Sequence, residues 1–295
     1  MSGGFQYGVN TLLFSEAFGP RDVRYLYDIR RMGFDAVDIA VPALEGFPAQ
    51  AVKNALRETG LRAVLNFNMP LEANPISEDS ENRRRAAETI RGVIDLANDC
   101  GAEMVSGVLC AGYCHKTGRQ RTRREWDWSV AHMRQAADYA ARTGTAVLAF
   151  EVINRYLTHF INTAADAARY CRDVGRDNVK IHLDSFHMMV EETSFREAIS
   201  VCGKERLGYF HACENQRGIP GSGLVPWEEL YSALRDIGYT GLLSLESYDP
   251  SFTRVASRGC MWRRMAASGE EFAVEGLRFL RDMERKTERK EHANG

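Results

Sequence analysis

The sequence predicts an α/β protein that folds as a closed (β/α)8 barrel. Short apolar, β-branched segments alternate along the chain with amphipathic segments, and a glycine often stands between an amphipathic segment and the next apolar one. A glycine just past a helix supplies the left-handed C-cap, so this repeated order indicates βα units and a parallel sheet. Eight such units in 295 residues favour a closed (β/α)8 barrel, or TIM barrel, over an open sheet.

Each expected strand is a short apolar run that ends at a polar residue. An open doubly wound sheet usually has a glycine-rich phosphate loop after its first strand, and the turn at residues 11–15 has none. The eight expected strands are residues 6–10, 36–39, 62–66, 104–109, 146–151, 179–183, 207–211 and 242–246.

Helical periodicity fills several of the gaps between these strands. In residues 21–32, for example, Val23, Leu26, Ile29 and Met32 recur at helical spacing. A single domain is expected over residues 1–283, followed by a charged, disordered tail at 284–295. Residues 247–271 show little periodicity and are expected to form a long loop over the active face or an oligomer contact. The other expected helices are residues 86–99, 128–143, 163–174 and 226–237.

The composition argues against two classes of partner. The formal net charge is −2, so no nucleic acid is expected to bind. The sequence has no run of about 18 apolar residues, so no membrane partner is expected. A cytoplasmic location is expected because no signal-peptide pattern is visible and the seven cysteines form no C-x-x-C pair.

The last four expected strands each lead into an acidic residue or a histidine: Glu151, Asp184, His211 and Glu246. The carboxyl ends of barrel strands meet at one face, where active sites lie. Three carboxylates in one pocket would repel one another unless a cation held them. Because three carboxylates and one imidazole suit Mn2+, Co2+ or Mg2+, the pattern predicts a metal centre. Such a metal could polarise the oxygens of a sugar while the glutamates carry protons.

The same half of the chain resembles the ketose 3-epimerases, the D-tagatose and D-psicose 3-epimerase family of the xylose-isomerase-like barrels. The N-terminal half resembles that family only in its architecture. The resemblance rests on EVINRY at 151–156, HLDSFHM at 182–188, HACENQR at 211–217, GSG at 221–223 and LES at 245–247.

This resemblance implies an isomerase that inverts C3 of a ketose through a metal-stabilised cis-enediolate. Glu151 and Glu246 would act as acid and base on opposite faces of the sugar and would also hold the metal with Asp184 and His211. His187 and Arg217 would bind substrate oxygens. The family also implies a homodimer or homotetramer, with a small-molecule sugar as the substrate.

Three further residues are expected to contact the substrate. Leu157 stands where the family usually has a glutamate that binds the sugar, and a buried hydroxyl without such a partner costs about 1–3 kcal/mol. Either the substrate lacks that hydroxyl, or another residue compensates, or the site prefers a less polar ligand. His115 and Asn66 follow the fourth and third strands at the same rim. Their alternative roles are a loop histidine and a turn residue.

Other enzyme functions remain open at this point. The same chemistry would serve a 3-keto-glycoside lyase similar to the C-glycoside deglycosylases, which could work with a small second subunit. A phosphorylated sugar is also possible, because Gly218, Gly221 and Gly223 lie in the loop after the seventh strand. A hydrolytic metal enzyme similar to apurinic endonucleases is disfavoured, since the second and third strands end without a histidine.

Overall fold

Eight parallel strands close into a barrel in the computed structural model, which describes residues 4–144 and 147–294. Each strand pairs with the next in the chain, and the last pairs with the first. The fold class predicted from the sequence is therefore confirmed. The strands are β1 (Gln6–Asn10), β2 (Ala36–Ala40), β3 (Arg62–Asn66), β4 (Met104–Gly107), β5 (Val147–Glu151), β6 (Val179–Asp184), β7 (Leu207–His211) and β8 (Leu242–Leu245).

Three expected strands have the predicted bounds, and the others differ by one or two residues at an end. The predicted first residue of the fifth strand, Ala146, lies outside the described residues. The helices are α1 (Arg24–Arg31), α2 (Ala49–Thr59), α3 (Ser80–Cys100), α4 (Arg123–Thr143), α5 (Ala164–Val174), α6 (Ser185–Glu191), α7 (Phe195–Arg206), α8 (Trp227–Asp236), α9 (Thr253–Gly259) and α10 (Gly269–Asn294).

The ends of the longer helices follow from local hydrogen bonds. Helix α4 begins five residues before the predicted start, because Thr122 and Glu125 form a reciprocal capping box. Helix α3 begins after Asp79, whose side chain accepts a hydrogen bond from the backbone N–H of Glu81. Its end lies at Gly101, whose φ of 77° is in the left-handed region that glycine adopts without strain.

Layers of side chains fill the barrel because alternate residues of a strand point to the same face. The lower layer is mostly apolar: besides the buried His182, which lies beside Tyr209, it contains Ala36, Val64, Met104, Ala149, Tyr209 and Leu242. Two residues further along the same strands, the next layer is polar and buried, consisting of Asp38, Asn66, Ser106, Glu151, His211 and Ser244. The polar layer therefore rests on a largely apolar floor.

The C-terminal segment differs from the expectation of a disordered tail from residue 284. Helix α10 continues to Asn294, and Glu284 accepts hydrogen bonds from the backbone N–H of Phe5 and the hydroxyl of Tyr7, both at 2.8 Å. Charged residues of this segment bond to residues of the barrel. The amino-acid composition of the segment alone does not reveal those partners. The expected loop at 247–271 contains α9 and the start of α10.

No helix within the described ranges is both long enough and apolar enough to cross a membrane. No disulfide joins any of the seven cysteines, all of which lie within the described ranges.

Candidate active site at the carboxyl ends of the strands

A cavity of about 220 Å³ lies at the carboxyl ends of the strands. Its polar lining consists of Asn68, Glu151, Asn154, His187, Arg217 and Glu246, and its aliphatic and aromatic lining of Tyr113, Ile153, Tyr156, Leu157, Phe186 and Tyr248. Gly259 and Cys260, from the segment expected to cover the active face, complete the wall.

The four residues predicted as metal ligands come together beside this cavity. Asp184 and His211 are fully buried, and Glu151 and Glu246 are 7% and 5% exposed. Potential ligand atoms of Asp184, His211 and Glu246 lie within 4.8 Å of one another, together with the Cys213 thiol. Glu151 lies equally close to Asp184 and His187 in one group, and to His182 and His211 in another. The cluster thus contains the four predicted ligands together with His182, His187 and Cys213.

His211 is held in one orientation by Asp38, a residue that the sequence did not single out. The Nε2 atom of His211 lies 2.7 Å from Oδ2 of Asp38, and the same oxygen accepts hydrogen bonds from Tyr209 at 2.8 Å and Asn66 at 3.3 Å. With Nε2–H donating to the carboxylate, Nδ1 of His211 faces the cluster. This buried atom has no hydrogen-bond partner and lies 3.4 Å from Oε2 of Glu246. An imidazole nitrogen left free in this way fits a metal ligand.

His182 lies below His211, because His182 pairs with Tyr209 and Asp184 pairs with His211 in the register of β6 and β7. Its Nδ1 lies 2.9 Å from the hydroxyl of Ser106, its Nε2 has no partner, and its ring centroid is 4.1 Å from that of His211. Burial is the main cause that lowers the pKa of His182 well below its ordinary value. The side chain is therefore neutral and supports the His211 ring from beneath.

Arg217 reaches into the cluster from the loop after β7. One guanidinium nitrogen donates to Asp184 at 2.9 Å, to Glu246 at 2.6 Å and to the sulfur of Cys213 at 2.9 Å. The guanidinium carbon lies 4.0 Å from the ring centroid of Phe186, a cation–π contact. Arg217 lines the cavity as expected, but its charge is already paired with two carboxylates.

The two glutamates have different protonation tendencies. Burial, opposed by a hydrogen bond from His187, raises the pKa of Glu151 above its ordinary value. Burial also acts to raise the pKa of Glu246, but the charges of His211 and Arg217 outweigh it and hold that pKa well below the usual range. Of the two carboxyls, Glu151 is therefore the one that more readily carries a proton.

The cluster as a whole favours positive charge at His211. Burial acts to lower the pKa of His211, but Glu246 and Asp38 outweigh it and raise that pKa well above its ordinary value. The carboxylates thus attract either a proton or a cation to this position.

The ring of His187 presents an N–H group to the cluster. Its Nδ1 lies 2.9 Å from the amide nitrogen of the Asn154 side chain and 3.3 Å from the Asn154 backbone nitrogen. A backbone N–H can only donate, so Nδ1 accepts and the proton is on Nε2. That Nε2 lies 3.6 Å from Glu151 and 3.9 Å from Asp184.

Of the other residues expected to contact the substrate, Leu157 lines the cavity. Asn66 and His115 are not among the described residues in the cavity wall. Asn66 donates to Asp38 within the barrel interior, and the ring of His115 lies 5.5 Å from that of His159. A direct substrate contact is therefore unsupported for these two, because Asn66 faces Asp38 and the loop after β4 places His115 beside His159 rather than in the cavity wall.

Besides Asp38, the site contains three further residues that were not predicted from the sequence: Tyr113, Tyr248 and Cys213. A signal for Asp38 existed, because an acidic residue inside the apolar run of β2 points into the barrel by strand alternation. The tyrosines lie in irregular segments and carried no such signal.

Comparison with known proteins agrees with this fold. Residues 26–283 match the sequence model of the Xylose isomerase-like TIM barrel family. The D-psicose 3-epimerase of Agrobacterium fabrum is 30% identical over 95% of this chain and 98% of its own length. A solved structure of an L-ribulose 3-epimerase superposes with a TM-score of 0.93 at 26% identity, covering 99% of this chain and 98% of that one. The D-allulose 3-epimerase of Methylomonas sp., solved in complex with D-allulose, gives a TM-score of 0.89 at 28% identity, covering 96% and 100%.

Proposed function

Because the chain belongs to the ketose 3-epimerase family of xylose isomerase-like TIM barrels, we propose that it is an isomerase that inverts C3 of a small ketose. The observation that carries the proposal is the pair Glu151 and Glu246, buried beside one cavity with opposite protonation tendencies. Inversion of a carbon requires one group to remove a proton and a second group to return one to the other face. Titratable groups whose surroundings separate their pKa values suit these two roles.

We propose that Glu151, Asp184, His211 and Glu246 hold a divalent cation, Mn2+ or alternatively Co2+ or Mg2+. The free Nδ1 of His211 and the surrounding carboxylate oxygens suit such an ion. When bound, the cation would supply Lewis-acid polarisation of the sugar oxygens, which makes the C3 proton removable.

The proton transfer is assigned to the two glutamates. One of them removes the C3 proton and the other returns a proton to the opposite face of the sugar, and in the reverse direction their roles exchange.

His187 and Arg217 are proposed to position the sugar. The Nε2–H of His187 points to the space between Glu151 and Asp184 and can donate to a substrate oxygen there. Arg217 uses one nitrogen to hold Asp184 and Glu246, which leaves its other N–H groups for the substrate.

A phosphorylated substrate is less consistent with this site. Arg217 is the one arginine or lysine among the described residues that line the cavity, and it already pairs with Asp184 and Glu246. A phosphate dianion would compete with these carboxylates for the same charge. A free ketose avoids that competition. The 3-keto-glycoside lyase remains an alternative that the following experiment tests.

The test is proton NMR of the Mn2+-loaded protein in D2O with D-fructose, D-tagatose, D-psicose and L-ribulose. We expect deuterium to enter C3 as the epimer appears. In Glu246→Gln the fold, followed by circular dichroism, should persist, while the rate falls by about 10²–10⁴-fold because an amide cannot carry the proton. Absence of exchange in every ketose with metal bound would contradict the proposal and favour the lyase. A near wild-type rate in Glu246→Gln would remove Glu246 from the mechanism.

A further inference from the structure

Arg217 has a backbone conformation that residues other than glycine rarely adopt. Its φ of 62° lies in the left-handed region, which it shares with the non-glycine residues Cys114 and Cys260 in the described ranges. Such a conformation persists only where surrounding contacts hold it. Because φ determines the direction in which a side chain leaves the backbone, this conformation aims the guanidinium at Asp184 and Glu246, at 2.9 and 2.6 Å.

Glu214 fixes the loop that carries Arg217. Its carboxylate is fully buried and accepts hydrogen bonds from the backbone N–H groups of Gly221 and Val225, at 2.8 and 2.9 Å. The indole N–H of Trp227 donates to the same carboxylate at 3.0 Å. The backbone carbonyl of Glu214 accepts from the backbone N–H of Arg217 at 2.9 Å. Glu214 therefore holds the amino side of Arg217 and ties the far end of the loop to the start of α8.

Ser247 holds the carboxyl side of Arg217. Ser247 lies two residues past the end of β8 and is 1% exposed, and its hydroxyl donates to the carbonyl of Arg217 at 2.7 Å. Arg217 itself is 5% exposed, so removal of the hydroxyl would leave this carbonyl without that bond in a buried setting. Rotation of the peptide group toward another donor would change the backbone angles of Arg217 and move its side chain.

We propose that Ser247 is a positioning residue for the reaction, because its hydroxyl keeps Arg217 in the left-handed conformation from which the guanidinium binds two carboxylates and meets the substrate. This inference rests on the proposed function, in which Arg217 binds the sugar. Ser247 is not among the described residues that line the cavity. Its effect on turnover therefore passes through Arg217 and not through Glu246, its neighbour in the chain.

The first experiment measures C3 deuterium exchange by the Mn2+-loaded protein, with whichever of D-fructose, D-tagatose, D-psicose and L-ribulose wild type turns over fastest. We expect Ser247→Ala to lower kcat/KM by about 10- to 100-fold with a raised KM, the size of effect that follows when a substrate-positioning group moves by about 1 Å. In the Arg217→Ala background, the same substitution should change kcat/KM by no more than about twofold, because no guanidinium is left to position.

A second measurement is independent of turnover. Phenylglyoxal modifies accessible guanidinium groups, and mass spectrometry gives the rate of adduct formation at Arg217 in the metal-free protein. We expect this rate to be about 2- to 10-fold higher in Ser247→Ala than in wild type, the range that corresponds to one lost hydrogen bond.

Ser129→Ala is the matched control. Ser129 is fully buried in α4, and its hydroxyl donates to the carbonyl of Cys110 at 2.6 Å. This variant loses the same kind of hydrogen bond away from Arg217. Both its adduct rate at Arg217 and its KM should therefore equal those of wild type.

Either an unchanged adduct rate at Arg217 or an unchanged KM in Ser247→Ala would overturn the inference. A loss of kcat/KM as large in the Arg217→Ala background as in wild type would also overturn it, since Ser247 would then act through Glu246. If no ketose shows exchange, the proposed function fails, while the adduct rate still decides whether Ser247 holds Arg217. If Ser247→Ala does not fold, Ser247→Cys, whose thiol is a weaker donor, serves the same comparison.

Discussion

Asp38 shows how one buried carboxylate can organise a site without touching the cavity. Its Oδ2 accepts from His211, Tyr209 and Asn66, while Oδ1 has no hydrogen-bond partner. The bond to Nε2 of His211 determines which nitrogen of the ring faces the acidic cluster. Asp38 is therefore a positioning residue for the proposed metal centre.

We predict that Asp38→Asn weakens binding of Mn2+ by about 10- to 100-fold, the usual effect of removing such a supporting group. The amide can still occupy the space, so the fold should be retained. Titration of the metal-free protein with Mn2+, followed by electron paramagnetic resonance, measures the affinity directly and independently of turnover.

Asp35→Asn is the matched control. Asp35 immediately precedes the N-terminal end of β2. Its carboxylate accepts a hydrogen bond from the backbone N–H of Tyr7 at 3.0 Å, away from the cluster. The affinity of the Asp35→Asn variant for Mn2+ should equal that of wild type. Equal affinities in Asp38→Asn and Asp35→Asn would show that Asp38 does not orient a ligand.

At the scale of secondary-structure elements, Glu125 joins the start of α4 to two rim loops. Its carboxylate accepts from the backbone N–H of Thr122 at 2.6 Å and from Arg119 at 2.9 and 3.1 Å. It also lies 3.4 Å from Nε2 of His159. The helix cap thereby fixes the loop after β4 and approaches the loop after β5.

These contacts make a pH-dependent contribution to stability. Burial acts to raise the pKa of Glu125, but hydrogen bonds from Arg119 and Thr122 outweigh it and lower that pKa from 4.5 to about 2. A carboxyl with a depressed folded-state pKa stabilises the fold above its unfolded-state pKa, and this contribution is lost as the pH falls through the folded-state pKa. The relevant window is therefore from pH 4.5 down to 2.

We predict that Glu125→Gln lowers the free energy of unfolding by about 1–2 kcal/mol at pH 6, since the charged hydrogen bonds are lost while the amide can still cap the helix. The difference from wild type should shrink as the pH falls toward 2. Urea unfolding at pH 6, 4 and 3 measures it.

Glu81→Gln in the exposed first turn of α3 provides the comparison. Its pairing with Arg84 is on the surface, and such pairs contribute below about 1 kcal/mol. A Glu125→Gln difference that is constant with pH, or no larger than that of Glu81→Gln, would contradict the prediction.

For the whole molecule, the barrel gathers acidic groups that the open chain keeps apart. Strand alternation and barrel closure bring Glu151, Asp184 and Glu246 to one buried rim, with Arg217 as the basic group paired within it. Burial of like charges is costly unless positive charge compensates it. Binding of a divalent cation should therefore stabilise the folded state as well as supply chemistry.

We predict that removal of metal by EDTA lowers the melting temperature and the activity together. At a metal concentration of about 100 Kd the linkage is worth about 2.7 kcal/mol, or roughly 5 °C for a protein of this size. Differential scanning calorimetry with and without EDTA measures the shift. His211→Asn, which lacks the imidazole ligand, should show a much smaller one. An unchanged melting curve in wild type would argue against the metal centre.

The sequence by itself determined the barrel and the order of its eight strands. Strand ends could be read because each strand is a short apolar run that a polar residue or a glycine ends, as the matching bounds of Gln6–Asn10, Arg62–Asn66 and Leu207–His211 show. Grouping of Glu151, Asp184, His211 and Glu246 also followed from sequence, because parallel strands of a barrel all end at one face.

Only the tertiary structure decided which side chains meet within that face. Asp38 and His211 are 173 residues apart in the chain, and their contact depends on the path across the barrel interior. The placement of Arg217 between two carboxylates and the outward turn of His115 depend on loops without periodicity. Local patterns specify the face of the strand to which a side chain points. Its partners across the barrel depend on how the eight strands close, and the spacing of residues in the sequence does not reveal that closure.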